Sequence, residues 1–195
     1  MRTLITVLWA LAVGVSCVPA PGEQTPDTIA SNPFVVGTVH QHVSRVFDED
    51  RTFYVYLPPS YTDTSFGERR FPVIYVLDAP EIWQFVVGAH NLLASWGAQW
   101  PHAIVVGVRT SKRLRDFTPT RDSVSATGEV APFLLESGGG PAFLRYLEEE
   151  LVPTVDRQFR TSSHRTLVGH SLGGLFALYA ISSRPELFRN YLVLD

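Results

Sequence analysis

The chain has one cysteine among 195 residues, so no disulfide can form within it and its redox compartment is not readable from cysteine pairing. It has no excess of positive charge. Lys and Arg number 16 against 19 Asp and Glu, a net charge of −3, which argues against a nucleic-acid partner. After residue 20 it has no apolar run long enough to span a bilayer. The body of the chain contains no internal repeat and no low-complexity tract, which leaves one domain as the default for this length. Histidines with metal-ligand spacing are also lacking: His40 and His42 form one pair without evident partners, so no metal site and no cofactor are expected. The last absence bears on mechanism, because no histidine occurs after Ser171.

What is present begins with a targeting pattern. Arg2 supplies a positive start, Leu4 to Val15 a short apolar stretch, and Gly14 and Ser16 the small residues of a cleavage site. Residues 1–20 therefore read as a signal segment, and the chain as exported: periplasmic, membrane-anchored or secreted. Cys17 directly follows Ser16, a placement that resembles a bacterial lipoprotein signal and implies membrane attachment through the acylated cysteine. Cleavage a few residues later would instead discard it. Residues 21–33 read as a flexible leader, and 34–195 as the folded domain.

Within that domain Val35 to Ser44 suggests an early strand. Thr52 to Leu57 alternates Phe53, Val55 and Leu57 with Thr52, Tyr54 and Tyr56, the pattern of a strand packed on both faces. Thr62 to Arg70 reads as a hairpin-like connection. The continuous apolar runs Val73–Leu77 and Ala103–Val108 fit parallel strands covered on both faces, with a helix from Ile82 to about Trp96 between them. Arg109 to Glu136 is long and polar, a loop length that is often functional. Its cluster Lys112-Arg113-Arg115 reads as a solvated surface. Gly138-Gly139-Gly140-Pro141 opens a helix that places Phe143, Leu144, Leu147 and Leu151 on one face and meets a kink at Pro153. A short strand at Thr166–Val168, a helix from Leu172 to Ser183 and a last strand at Tyr191–Leu194 complete an alternation of strands and helices. That alternation predicts a mostly parallel sheet with helices on both faces.

Gly169-His170-Ser171-Leu172-Gly173 reads as a nucleophile elbow, a serine on a sharp turn between strand and helix. A serine hydroxyl is a poor nucleophile until a base takes its proton, and the turn solves the positional half of that problem by lifting the hydroxyl clear of the backbone. The helix N-terminus aims N–H groups at developing negative charge. The Leu172 N–H is the expected first oxyanion donor. Ala79, in the loop after the Val73–Leu77 strand, is the expected second, since Pro80 has no N–H to give. One such donor contributes about 3 kcal/mol to the transition state. His170 is adjacent to Ser171, but neighbours on such a turn point in different directions, so it reads as a packing residue.

With these residues in view, the chain resembles the esterase family of α/β-hydrolases. That family includes esterase D-like S-formylglutathione hydrolases, enterochelin (siderophore) esterases and mycolyltransferases. The likeness runs from about residue 36 to the end. It is carried by Phe53–Pro58, Phe71–Asp78, Arg115-Asp116-Phe117-Thr118-Pro119, Phe143–Arg160 and Arg165–Ala177. The resemblance implies an α/β fold of α/β-hydrolase type, and hydrolysis of a small-molecule carboxylic ester through an acyl-enzyme on Ser171. Many relatives have glycine where this chain has Ala79. Relatives also continue beyond the strand at Tyr191–Leu194 and carry their acid and histidine there. The resemblance therefore implies a sheet truncated after about six strands and a chain that lacks both triad partners and is inactive as it stands. A non-catalytic binding protein and an acyltransferase using the same serine are the alternatives. Arg109, Arg113, Arg115 and Asp116 lie where substrate would be met, either gripping a carboxylate or catecholate or structuring the loop by salt bridges.

Overall fold

Strand periodicity and β-branched or aromatic composition set the sheet of this protein, described by a computed structural model over residues 31–95, 100–125 and 127–195, with the backbone alone at Phe66. The signal segment, Cys17 and most of the leader lie outside the described residues. Residues 35–195 form one unit. Its strands are β1 (Thr38–Ser44), β2 (Glu49–Tyr56), β3 (Phe71–Leu77), β4 (Ile104–Val108), β5 (Thr161–His170) and β6 (Asn190–Leu194). They lie in one six-stranded sheet in the order β1-β2-β4-β3-β5-β6. β2 runs antiparallel to β1 and to β4, and β4, β3, β5 and β6 are parallel to one another. This is a mostly parallel α/β sheet flanked by helices, as the alternation predicts.

The Thr62–Arg70 segment is not a hairpin connection. β2 and β3 are not neighbours, because β4 lies between them. Two short 3-10 turns, Pro59–Tyr61 and Thr64–Phe66, carry the chain across instead. The physical reason is the burial of β3. Phe71, Val73, Tyr75, Val76 and Leu77 are all inaccessible, which only a central position provides.

The helices divide between the two faces. α1 (Glu81–Ser95) covers one, seating Trp83 and Val87 against Tyr56, Val76, Val105 and Val168. The Trp83 indole N–H donates to the Val105 carbonyl at 3.0 Å. The other face carries α2 (Arg113–Phe117), α3 (Gly140–Tyr146), α4 (Val152–Gln158) and α5 (Leu172–Ser183). There Phe117, Phe143 and Phe176 meet at ring separations of 5.0 to 5.9 Å beneath Phe53, Tyr75 and Leu167. Each buried phenyl contributes roughly 2–3 kcal/mol. The expected kink at Pro153 is instead a π-helical turn, Leu147–Leu151, that joins α3 to α4. Proline has no N–H for the ladder, and the Val152 N–H reaches back to the Leu147 carbonyl, widening the turn by one residue.

Near β6 both faces of the sheet expose apolar side chains. On the α1 side, Ile74, Phe85, Leu93, Val168, Leu192 and Leu194 line a groove of about 510 Å³. On the α5 side, Leu175, Leu178 and Ile181 are exposed, so α5 is apolar on its outer as well as its inner surface. No described helix is long and apolar enough to cross a membrane.

Candidate active site

β5 delivers the chain to the elbow, and the elbow takes the shape its sequence predicts. Ser171 has φ 54° and ψ −119°, a left-handed conformation that costs about 1–3 kcal/mol for a residue with a side chain. Two backbone bonds hold it. The Ser171 N–H donates to the Leu194 carbonyl at 2.9 Å, and the Ser171 carbonyl accepts from the Leu175 N–H at 2.9 Å, the first bond of α5. The turn closes so tightly that a Cβ on Gly169 would stand 2.1 Å from the Gly173 carbonyl oxygen. No residue but glycine fits there. The Ser171 side chain is exposed at the mouth of this turn, and Leu172 opens the helix immediately behind it.

The second expected donor is placed differently. The Ala79 N–H donates to the Val108 carbonyl at 3.3 Å, one ladder bond beyond the Leu77–Val108 pair that ends the β3–β4 register. Its methyl is buried against the α1 cluster. The Ala79 N–H thus continues the β3–β4 ladder by one bond. His170 is exposed rather than packed. The other histidines sit elsewhere. His40 and His42 are on β1 at one edge of the sheet. His90 accepts the Ala103 N–H at 3.1 Å, and His102 pairs with the Ser60 hydroxyl at 2.5 Å. His164 is in the exposed first half of β5. Among the described residues, no histidine hydrogen-bonds the Ser171 hydroxyl. Nor does any group of three or more metal-ligating side chains come together among them.

The basic cluster after β4 is ion-paired, with Lys112 exposed and Arg113 and Arg115 partly buried. Lys112 reaches Glu49 at 2.8 Å, and Arg115 bridges Glu49 at 2.6 Å and Asp116 at 2.7 Å. Asp116 is fully buried and also accepts from Arg51 at 2.7 Å and from the Thr110 hydroxyl. The Phe47 ring is flanked by the Arg51 and Arg115 guanidiniums at 4.0 and 4.5 Å. Hydrogen bonding from Arg115, helped by Lys112 and the nearby Arg51 charge, draws the Glu49 carboxyl down to about 2. Arg113 turns the other way and forks onto Asp78, with Nε to Oδ1 at 2.7 Å and Nη2 to Oδ2 at 3.1 Å. These pairs bear out loop-structuring salt bridges for Arg113, Arg115 and Asp116. Arg109 borders a polar recess of about 220 Å³ shared with Glu49, Arg51, Thr110 and Ser111.

A strand order of this kind, with a serine on a left-handed turn before α5, defines an α/β-hydrolase-type fold. The family described as "Putative esterase" matches residues 44–194, and the chain belongs to that family. It is similar to the ferri-bacillibactin esterase BesA of Bacillus subtilis, at 31% identity over 87% of this chain and 63% of that protein. It is also similar to the apo-salmochelin esterase of Escherichia coli O6:H1, at 30% identity over 80% of this chain and 51% of that protein. Among solved structures, an IroE-like serine hydrolase from Shewanella oneidensis superposes with a TM-score of 0.75 at 33% identity, covering 80% of this chain and 49% of that one. The chain thus spans about half to two thirds of the length of the relatives it matches.

Proposed function

We propose that Ser171 is the nucleophile of a serine carboxylic-ester hydrolase. Its substrate is a small ester of the siderophore type named in its relatives. The observation that carries the reading is Ser171 itself, an exposed residue on a left-handed turn at the N-terminus of α5. In this reaction the Ser171 oxygen attacks the ester carbonyl, the Leu172 N–H stabilises the oxyanion, the alcohol leaves, and water hydrolyses the acyl-enzyme. A general base contributes about 10²–10⁴-fold to such a step. Among the described residues no histidine meets Ser171. Export, with Arg2 and the Leu4–Val15 stretch as its support, belongs to the same proposal.

The test supplies the base from solution. The chain is incubated with p-nitrophenyl acetate, with and without free imidazole, and the acetyl group is located by peptide mass spectrometry. Acetylation at Ser171, accelerated by imidazole and absent in Ser171→Ala, is the expected result. An unmodified Ser171 in the presence of imidazole refutes the reading and favours a non-catalytic relative. Transfer of the acetyl group to added glycerol in preference to water identifies an acyltransferase.

A further inference from the structure

We propose that Arg113 is a positioning residue that clamps the loop after β3 onto the nucleophile elbow, an inference that rests on the esterase reading of Ser171. Its guanidinium makes a two-pronged contact with the Asp78 carboxylate, at 2.7 and 3.1 Å. The same Nη2 also donates to the His170 carbonyl at 3.1 Å, on the residue that precedes the nucleophile. One planar side chain thus joins two segments that are 92 positions apart in sequence, counting from Asp78 to His170. Asp78 is seated beside the first turn of α5 as well, since a Cβ on Gly173 would lie 3.2 Å from its Oδ2.

Both joined segments hold a non-glycine residue in left-handed conformation, Asp78 at φ 59° and Ser171 at φ 54°. Such residues persist only where the surroundings over-determine them. Beside the two backbone bonds that hold Ser171, Arg113 adds to that determination for both segments at once. Its charge has a second consequence. An unpaired Asp78 carboxylate beside the α5 N-terminus would oppose negative charge developing on the substrate oxygen, and the guanidinium cancels it. Lysine cannot do the same, because a single ammonium lacks the planar fork that holds the carboxylate and the carbonyl together.

Amide hydrogen exchange of the full chain tests the clamp without requiring turnover, comparing wild type, Arg113→Ala, Arg113→Lys and Ser171→Ala. Arg113→Ala is expected to speed exchange about tenfold in peptides covering both 77–80 and 169–173, the effect of losing a charge-assisted hydrogen bond, with β1–β2 peptides unchanged. Arg113→Lys restores protection to one of the two segments and not to both, and Ser171→Ala matches wild type. Imidazole-assisted acetylation of Ser171 gives the second readout. In Arg113→Ala its maximal rate falls about tenfold while the half-saturating ester concentration holds. Unchanged exchange at both segments overturns the clamp, as does a rise spread evenly over all peptides. If wild-type Ser171 is never acetylated, the esterase reading fails, and the exchange data still decide the clamp.

Discussion

Replacing Asp116 with alanine should destabilise this protein more than most single substitutions. The Asp116 carboxylate is fully buried and accepts from Arg51, Arg115 and Thr110. Arg51 is itself 3% exposed, and its Nε has no partner among the described residues. Alanine removes the anion and strands that guanidinium. Breaking a buried pair from one side costs about 3–5 kcal/mol. Glu49 remains 3.0 Å from Arg51, so the loss should fall near the lower end. With a urea dependence of about 2 kcal/mol per molar, the unfolding midpoint then drops by roughly 1.5 M. Trp83, on the buried face of α1, is a fluorescence reporter for that transition. Asp116→Asn keeps an acceptor oxygen and should lose less. The double change Arg51→Met with Asp116→Leu should recover most of the stability, because it removes both charges together. A midpoint for Asp116→Ala within about 0.3 M of wild type would show that Glu49 carries Arg51 alone and would refute the reasoning.

Glu49 gives a pH prediction with a definite sign. Its carboxyl is held at about 2 against an ordinary value of 4.5, so its stabilisation is fully present above 4.5 and is lost as pH falls from 4.5 toward 2. Glu49→Gln should cost about 1–2 kcal/mol at neutral pH after allowance for solvent screening, and acid unfolding curves of mutant and wild type should converge near pH 2. Gly169→Ala should disrupt the elbow, because its new methyl would collide with the Gly173 carbonyl at 2.1 Å. We expect imidazole-assisted acetylation of Ser171 to disappear in that variant, while far-ultraviolet circular dichroism reports a largely intact sheet.

Elements whose own composition demands burial were legible in the sequence. β3 and β4 are unbroken apolar runs, α5 is apolar on every side, and the glycines around Ser171 announce a turn that nothing larger can make. β5 was only partly legible. Its Thr166–Val168 half is apolar, but Ser162–His164 is polar and falls in the irregularity between the Phe71–Thr161 and Val73–Arg165 pairs with β3. That pairing belongs to the sheet and leaves no periodic trace. The ion pairs of the charged loop were not legible for a similar reason. Lys112 and Arg113 find their acids 63 and 35 residues away, and no local pattern reports such separations. The place of Ala79 after a strand is plain in the sequence, whereas the bond from its N–H to the Val108 carbonyl depends on the β3–β4 register. Arg113 offered a signal of a kind, a basic residue just after a central strand, but its tie to the His170 carbonyl required the fold.

The bond from the Ser171 N–H to the Leu194 carbonyl makes the outermost parallel strand the floor beneath the nucleophile. Fraying of that strand would be felt at Ser171 within one hydrogen bond, sooner than at the centre of the sheet. If Ser171 is the nucleophile proposed above, order along β6 and the pose of the serine are coupled through this one bond.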